Sequence, residues 1–335
     1  MRVALIVAAL FVVVTGPAGA VERIPAATLR QNLFASCFHT ETDGWAVGDL
    51  ARMFRTTDGG KSWERHDTST GRSFVALSCP DAQHLWAAGQ LGEITHSTDG
   101  GTTWTLQQTG VQRKLLDIDF ATLQRGLAVG DYGTLLRTDD GGTTWARVPM
   151  PHDITLPPDV AEVVDPGDVV LYAVAFPDPE HAWVAGEFGV ILASADGGRT
   201  WQAQKTPVET SLFGVSFADA RRGWAVGLES TLLATTDGGT TWTKVQVDTP
   251  KGFPLALYDV AVHGQYGWAA GNSGLLLHSR DGGVSWQLVE VPVQLRGAWF
   301  RAVSLLEGGR GFIMGSKGMV LSTDGDGFVP LKQRF

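Results

Sequence analysis

The sequence predicts an all-β fold, a seven-bladed β-propeller of four-stranded antiparallel blades, and three observations lead there. First, a phrase of the form Ser/Thr-x-Asp-Gly-Gly-x-Ser/Thr-Trp recurs, with aspartates Asp58, Asp99, Asp140, Asp196, Asp237 and Asp281 and a degenerate copy at Asp324. Second, each copy follows another phrase: GWAVG at 44–48, LWAAG at 85–89, GLAVG at 126–130, AWVAG at 182–186, GWAVG at 223–227, GWAAG at 267–271 and GFIMG at 311–315. Third, the spacing is fixed. The last glycine of the upstream phrase stands ten residues before the aspartate in six copies and nine before it in the seventh. Aspartate steps of 41, 41, 56, 41, 44 and 43 residues mark a repeat architecture, one supersecondary unit per step.

Within one copy the local signals are all β. In the fourth, residues 172–176 read as a strand, 177–180 as a turn, 182–185 and 190–194 as further strands, and 201–204 as a last strand after the aspartate phrase. Runs of this length, punctuated by Gly, Pro and Asp, are strands and turns. No amphipathic helical stretch of useful length follows residue 20. Four such strands make one blade, and seven blades close a disc.

The aspartate phrase is then a hairpin staple. Its Asp accepts hydrogen bonds from nearby backbone amides while the chain reverses. The glycines supply positive φ, and the Ser or Thr adds a local side-chain bond. The tryptophans Trp63, Trp104, Trp145, Trp201, Trp242 and Trp286 open the outer strand, where each can bury its ring between blades. The seventh copy, around Asp324, lacks the tryptophan and is shifted by one residue, as terminal repeats often are.

The chain opens MRVALIVAALFVVVTGPAGA: one Arg, an apolar run from Val3 to Val14, a Gly-Pro break and small residues up to Ala20. That is the layout of a secretory signal peptide over residues 1–20, too short to span a bilayer comfortably. Export, with a periplasmic location, is the expectation. Residues 21–335 are expected to form one propeller domain with an insertion at 150–170, and segment 21–33 is a candidate for pairing with an edge of the ring. Removing residues 1–20 takes away only Arg2, so the net charge of −9 becomes −10. A mildly acidic chain is a poor binder of nucleic acid, whose phosphates need a basic face.

Cys37 and Cys79 are the only cysteines. They fall at nearly equivalent places in the first two repeats, and export would permit a disulfide. Equally, Cys79 stands where later repeats have Phe120, Phe176 and Phe217, so two buried thiols fit as well. Both readings stay open on the sequence.

The paired phrases resemble the Asp-box, or BNR, propellers and more narrowly the photosystem II assembly and stability factor family, from Leu33 to Phe335. That resemblance implies an exported propeller without chemistry of its own, a scaffold that assists a membrane-associated complex. It also implies the thylakoid lumen as location if the source is photosynthetic, although relatives occur in many non-photosynthetic bacteria. Photosynthetic members of the family are associated with a basic surface patch. Here the arginines Arg113, Arg125, Arg221, Arg222, Arg296, Arg301 and Arg310 are scattered.

Sialidases share the box, which makes a carbohydrate-active or carbohydrate-binding propeller the alternative. A sialidase needs three converging arginines, a Tyr–Glu nucleophile pair and an acid/base Asp. Arg23-Ile24-Pro25 matches the R-I-P element that sialidases carry before the first box. Tyr172 and Tyr258, however, hold the same repeat position as Phe213 and read as core. Asp117, Asp119 and Asp259 lie on inner strands and are expected to be hydrated carboxylates lining a polar channel. No Ser-His-Asp order, histidine cluster or phosphate-cradling glycine loop stands out, so no catalytic residue, cofactor or metal ion is expected.

If the chain does no chemistry, recognition falls to the face opposite the boxes, where the repeats diverge. Leu50, Leu91, Tyr132 and Phe188 put an apolar side chain at one loop position in blades one to four, with Glu187 beside Phe188. The insertion at 150–170 projects from that face too. This arc is the candidate docking site for a protein partner, on a chain expected to be monomeric; the plain alternative is that the insertion folds down and covers it.

Overall fold

The structure, a computed structural model, describes residues 23–67, 70–249 and 255–331. The expected signal peptide lies outside these residues. The chain forms seven antiparallel sheets, each built from one contiguous stretch, with four strands in simple up-and-down order in every sheet and one further edge strand on the first. The innermost strands are Leu33–Phe38, Phe74–Ser78, Leu115–Phe120, Leu171–Ala175, Leu212–Phe217, Leu257–His263 and Phe300–Leu305. Each packs beside the next, and the last beside the first, so the seven blades close a ring. The seven-bladed reading holds, and among the described residues no helix is long and apolar enough to cross a membrane.

Six boxes share one hydrogen-bond pattern. In blade two, Asp99 Oδ1 accepts from the Thr103 amide at 2.8 Å and from Ser97 Oγ at 2.9 Å, while Oδ2 accepts from Thr103 Oγ1 at 2.7 Å. Ser97 Oγ in turn accepts from the Gly101 amide at 2.8 Å. Gly101 has φ +83°, and a Cβ there would lie 2.1 Å from the Trp45 ring of blade one. The box is therefore a turn and also a socket for the neighbouring blade.

That socket explains the tryptophan of the upstream phrase, to which sequence reasoning gave no role. Trp86, Trp183 and Trp224 donate Nε1–H to the carbonyls of Gly141, Gly238 and Gly283, box glycines of the following blade, at 3.2, 3.0 and 2.8 Å. Trp86 also stacks on Phe120 with ring centroids 3.8 Å apart, and Trp183 on Phe217 at 3.5 Å. The box tryptophan closes the same cluster edge-on, as Trp145 does against Phe120 and Trp242 against Phe217. Burial of such aromatic area, with the N–H satisfied, is what holds blade to blade.

Two seams differ. Between blades one and two the aromatic at the Phe120 position is replaced by Cys79, which is disulfide-bonded to Cys37; of the two open readings the bridge is the one found. At the ring closure, Phe312 stacks on Phe38 at 3.8 Å and Ser304 Oγ donates to the Ser36 carbonyl at 2.9 Å. The segment before blade one completes that closure. Arg23–Pro25 adds a fifth, antiparallel strand to blade one, pairing Arg23 with Glu64 and Pro25 with Ser62. Leu29 is buried with Phe54, Met314 and Val320.

The seventh box is corrected in position. Gly311 pairs with Thr323 as Gly44 pairs with Thr56, so the place of the box aspartate is taken by Gly325 and Asp324 still belongs to the strand. Asp324 instead accepts from the amides of Asp326 and Gly327 at 3.1 and 2.9 Å. The nine-residue spacing was the trace of this slip.

Candidate functional site at the axial mouth

Every innermost strand carries a β-bulge at its second residue, because the register against the next strand jumps between the first residue and the third. Bulges re-aim side chains. The seven bulged residues, Phe34, Val75, Leu116, Tyr172, Phe213, Tyr258 and Arg301, all line an axial cavity of about 140 Å³. They open on the face opposite the boxes, since the first residue of each innermost strand pairs with the glycine that starts the divergent loop, as Leu33 does with Gly48.

The mouth is mostly aromatic. Tyr172 meets Phe213 edge-on with centroids 4.9 Å apart, Phe213 lies 5.8 Å from Tyr258, and Phe34 stacks on Trp299 at 6.0 Å. Arg301 brings the one basic side chain among its lining residues. Tyr172 and Tyr258 thus leave the core to which the repeat alignment assigned them. Phe213 occupies the same position, but the bulge turns all three toward the axis.

Asp117, Asp119 and Asp259 are not free, hydrated carboxylates. Each spans a seam to the backbone of the next blade: Asp117 accepts from the Val174 amide at 2.8 Å, Asp119 from Phe176 at 2.8 Å and Asp259 from Val303 at 2.7 Å. Each also accepts from the amide following it in sequence, at 2.8–2.9 Å. Burial nevertheless dominates and pushes Asp117 up to about 8, Asp259 to about 7 and Asp119 to about 6, against the amide bonds that favour the charged form.

A tyrosine and a glutamate do meet at the rim: Tyr172 Oη–H donates to Glu187 Oε1 at 3.5 Å, a long bond, while Glu187 Oε2 accepts from the Val170 amide at 2.9 Å. Burial, then the Glu187 charge, raise the phenol to about 12, the opposite of what a phenolate nucleophile requires. Arg23 lies on the outer rim, paired with Glu64 at 2.9 Å, far along the blade from the mouth.

The divergent loops hold their apical residues in left-handed backbone: Leu50 at φ +61°, Leu91 and Tyr132 at +54°, Phe188 at +55°, Glu229 at +57°, and Ser273 and Lys317 at +53°. That conformation is costly for large side chains and marks sites worth a functional hypothesis. Leu50, Leu91 and Tyr132 are 69%, 51% and 52% exposed, and the Arg113 guanidinium sits 4.3 Å over the Tyr132 ring. Phe188 departs from the expected arc, being partly buried against the apolar cluster that includes Ile154, Leu156 and Trp201. The insertion has folded down at that point: Ile154 and Leu156 join the core, and Asp153 accepts from the Ala203 amide of the outer strand at 3.2 Å. Of the five expected contact residues, Glu187 meets the mouth through Tyr172 and is engaged by backbone. Leu50, Leu91 and Tyr132 stand exposed on the same face outside the cavity lining, and Phe188 is half covered.

Taken together these features define an Asp-box propeller whose box face is uniform and whose opposite face carries a small aromatic mouth. The chain belongs to the family of the photosynthesis system II assembly factor YCF48, whose model matches residues 23–111, 103–201 and 199–327. Among solved structures it is similar to YCF48 bound to a D1 peptide, at 20% identity and TM-score 0.67 over 94% of this chain and 98% of that one. It is similar to YCF48 from Cyanidioschyzon merolae at 21% identity and TM-score 0.66, with the same shares covered. It also resembles the GH74 xyloglucanase of Xanthomonas campestris at 14% identity and TM-score 0.70, over 91% of this chain and 54% of that one. Identities this low establish the shared fold alone. No curated protein sequence matches the chain.

Proposed function

We propose that this chain is a non-catalytic, exported scaffold that binds a protein segment at the axial mouth and so assists a membrane-associated complex. The observation that carries the reading is the set of seven bulged residues, which turns one side chain from every blade into a single mouth of four aromatic rings, two aliphatic side chains and Arg301. Its volume, about 140 Å³, suits one inserted side chain and falls below the roughly 300 Å³ where small-molecule pockets begin. Family membership and the D1 peptide carried by a solved relative favour a peptide partner from a photosystem-type or analogous complex. A raised Tyr172, a single arginine at the mouth and aspartates committed to backbone bonds all count against glycoside hydrolysis. Location in the periplasm or thylakoid lumen and a monomeric state belong to the same reading.

The test is binding of a fluorescein-labelled D1 peptide, followed by anisotropy with the full chain and with Phe213→Ser/Arg301→Glu. Both positions are solvent-accessible, so the variant should melt within a few degrees of the wild type while affinity falls at least about tenfold, one buried aromatic being worth about 1.4 kcal/mol or more. Equal affinity in variant and wild type rejects the mouth as the site. Hydrolysis of a glycan by the purified chain, lost in Asp117→Asn, would reject the non-catalytic reading.

A further inference from the structure

One cluster outside the mouth combines soft and borderline metal ligands. Cys37 closes the innermost strand of blade one next to Phe38, His39 follows in the turn, and Cys79 follows the innermost strand of blade two. Their donor atoms all lie within 4.8 Å of one another. Ligands sharing one cation at bonds of about 2.0–2.3 Å stand roughly 3.5–4 Å apart, so little movement separates this arrangement from a coordination sphere. His39 Nε2 is buried and makes no hydrogen bond. The matching turn positions in the other blades hold Pro80, Ala121, Pro177, Ala218, His263 and Leu306, so a histidine recurs there once, in blade six, but without a cysteine pair beside it. A ring with an unbonded buried nitrogen, beside a cystine at the seam where an aromatic has been replaced by cysteine, calls for an explanation.

We propose that this seam is a redox-gated metal site, in which reduction of the Cys37–Cys79 bond frees both sulfurs to bind one Cu(I) ion together with His39 Nε2. A dithiol supplies the two electrons and two protons that convert the cystine to two thiols, and is itself oxidised to its cyclic disulfide. Metal uptake then releases both thiol protons, leaving a thiolate pair and a neutral imidazole around the ion. Two sulfurs and one nitrogen suit Cu(I), which accepts three soft ligands, better than Zn(II), which seeks a fourth in structural sites. The disulfide and the metal are mutually exclusive because both use the same sulfur electron pairs, so the seam carries either bond but never both.

The full chain, reduced with dithiothreitol and desalted without oxygen, is titrated with Cu(I) against the chromophoric chelator bicinchoninate. One Cu(I) per reduced chain is expected, and none for the oxidised chain or for Cys37→Ser/Cys79→Ser. His39→Ala keeps both cysteines and should weaken binding at least about tenfold, since even outer supports of a metal site are worth about 10–100-fold. Near-ultraviolet circular dichroism of the tryptophans checks that the reduced chain stays folded. No uptake by the reduced chain, uptake indifferent to His39→Ala, or loss of the tryptophan signal on reduction would each overturn the proposal.

Discussion

The seam between blades four and five and the seam between blades one and two solve one problem by different chemistry. At the first, Trp183 lies flat on Phe217 at 3.5 Å and donates to the Gly238 carbonyl at 3.0 Å. At the second, Trp45 faces Cys79 where the phenylalanine would be, contacts Trp104 edge-on at 5.7 Å, and the blades are joined covalently through Cys37. The contrast teaches that a blade seam needs a fixed separation more than it needs a particular contact. Apolar area supplies it in one place, and a bond across 42 residues of chain supplies it in the other.

The comparison breaks most sharply at the aromatic seam. Trp183→Ala should cost about 3–5 kcal/mol, the usual loss for emptying a buried tryptophan site, read from urea unfolding. The covalent seam should lose about the same or slightly less. Constraining a loop of 42 residues is worth about 4 kcal/mol in the unfolded chain, so Cys37→Ser/Cys79→Ser should lower stability by about 2–4 kcal/mol. Cys37→Ala/Cys79→Phe sharpens the point: it restores the stack seen at Phe217 and should recover part of that loss. A double variant no more stable than the serine pair would show that the two solutions are not interchangeable.

Next in size is the pH dependence, where two sets of aspartates pull in opposite directions. The channel aspartates titrate higher in the folded chain than in the unfolded one, so their contribution is full below about pH 4 and is lost as pH rises toward about 8. The box aspartates run the other way. Hydrogen bonds from Thr200 and Ser194 outweigh burial and hold Asp196 near about 2, so its contribution is present above about pH 4 and fades as pH falls toward 2. Melting temperature against pH should therefore rise from acid, peak near pH 4–5 and decline toward pH 8. Asp117→Asn should flatten the alkaline limb alone, and Asp196→Asn the acid limb alone. A curve with no alkaline decline would refute the buried state of Asp117.

The smallest effects separate the regular boxes from the seventh. Asp99→Ala removes an acceptor from three hydrogen bonds and should cost about 2–3 kcal/mol. Asp324→Ala touches two exposed amides and should cost no more than about 0.5 kcal/mol in thermal or urea unfolding. Equal costs would return Asp324 to the box it was first assigned to.

Much of this was legible in the letters, and the misses have a common cause. Blade number, strand order and the box bonds follow from short local signals, such as the seven residues Ser97 to Thr103, where chain connectivity fixes the partners. Tyr172 was misread because alignment equates it with Phe213 but says nothing of a bulge that turns both toward the axis. Asp117 was misread because its partner, Val174, lies 57 residues away on another blade. The tryptophans of the upstream phrase were visible as a pattern, yet their role lies across a seam.

The sequence by itself determined the wheel: seven repeats, four strands in each, a turn held by its own side chains, and a divergent opposite face. These are local matters, settled by φ preferences and hydrogen bonds within one hairpin. Only the tertiary structure decided which cysteine state holds the first seam, where the aspartates find their amides, and that every blade sends one bulged residue to the axis. Such facts depend on how separate blades meet, and distances between blades are set by packing across the ring rather than by neighbours along the chain.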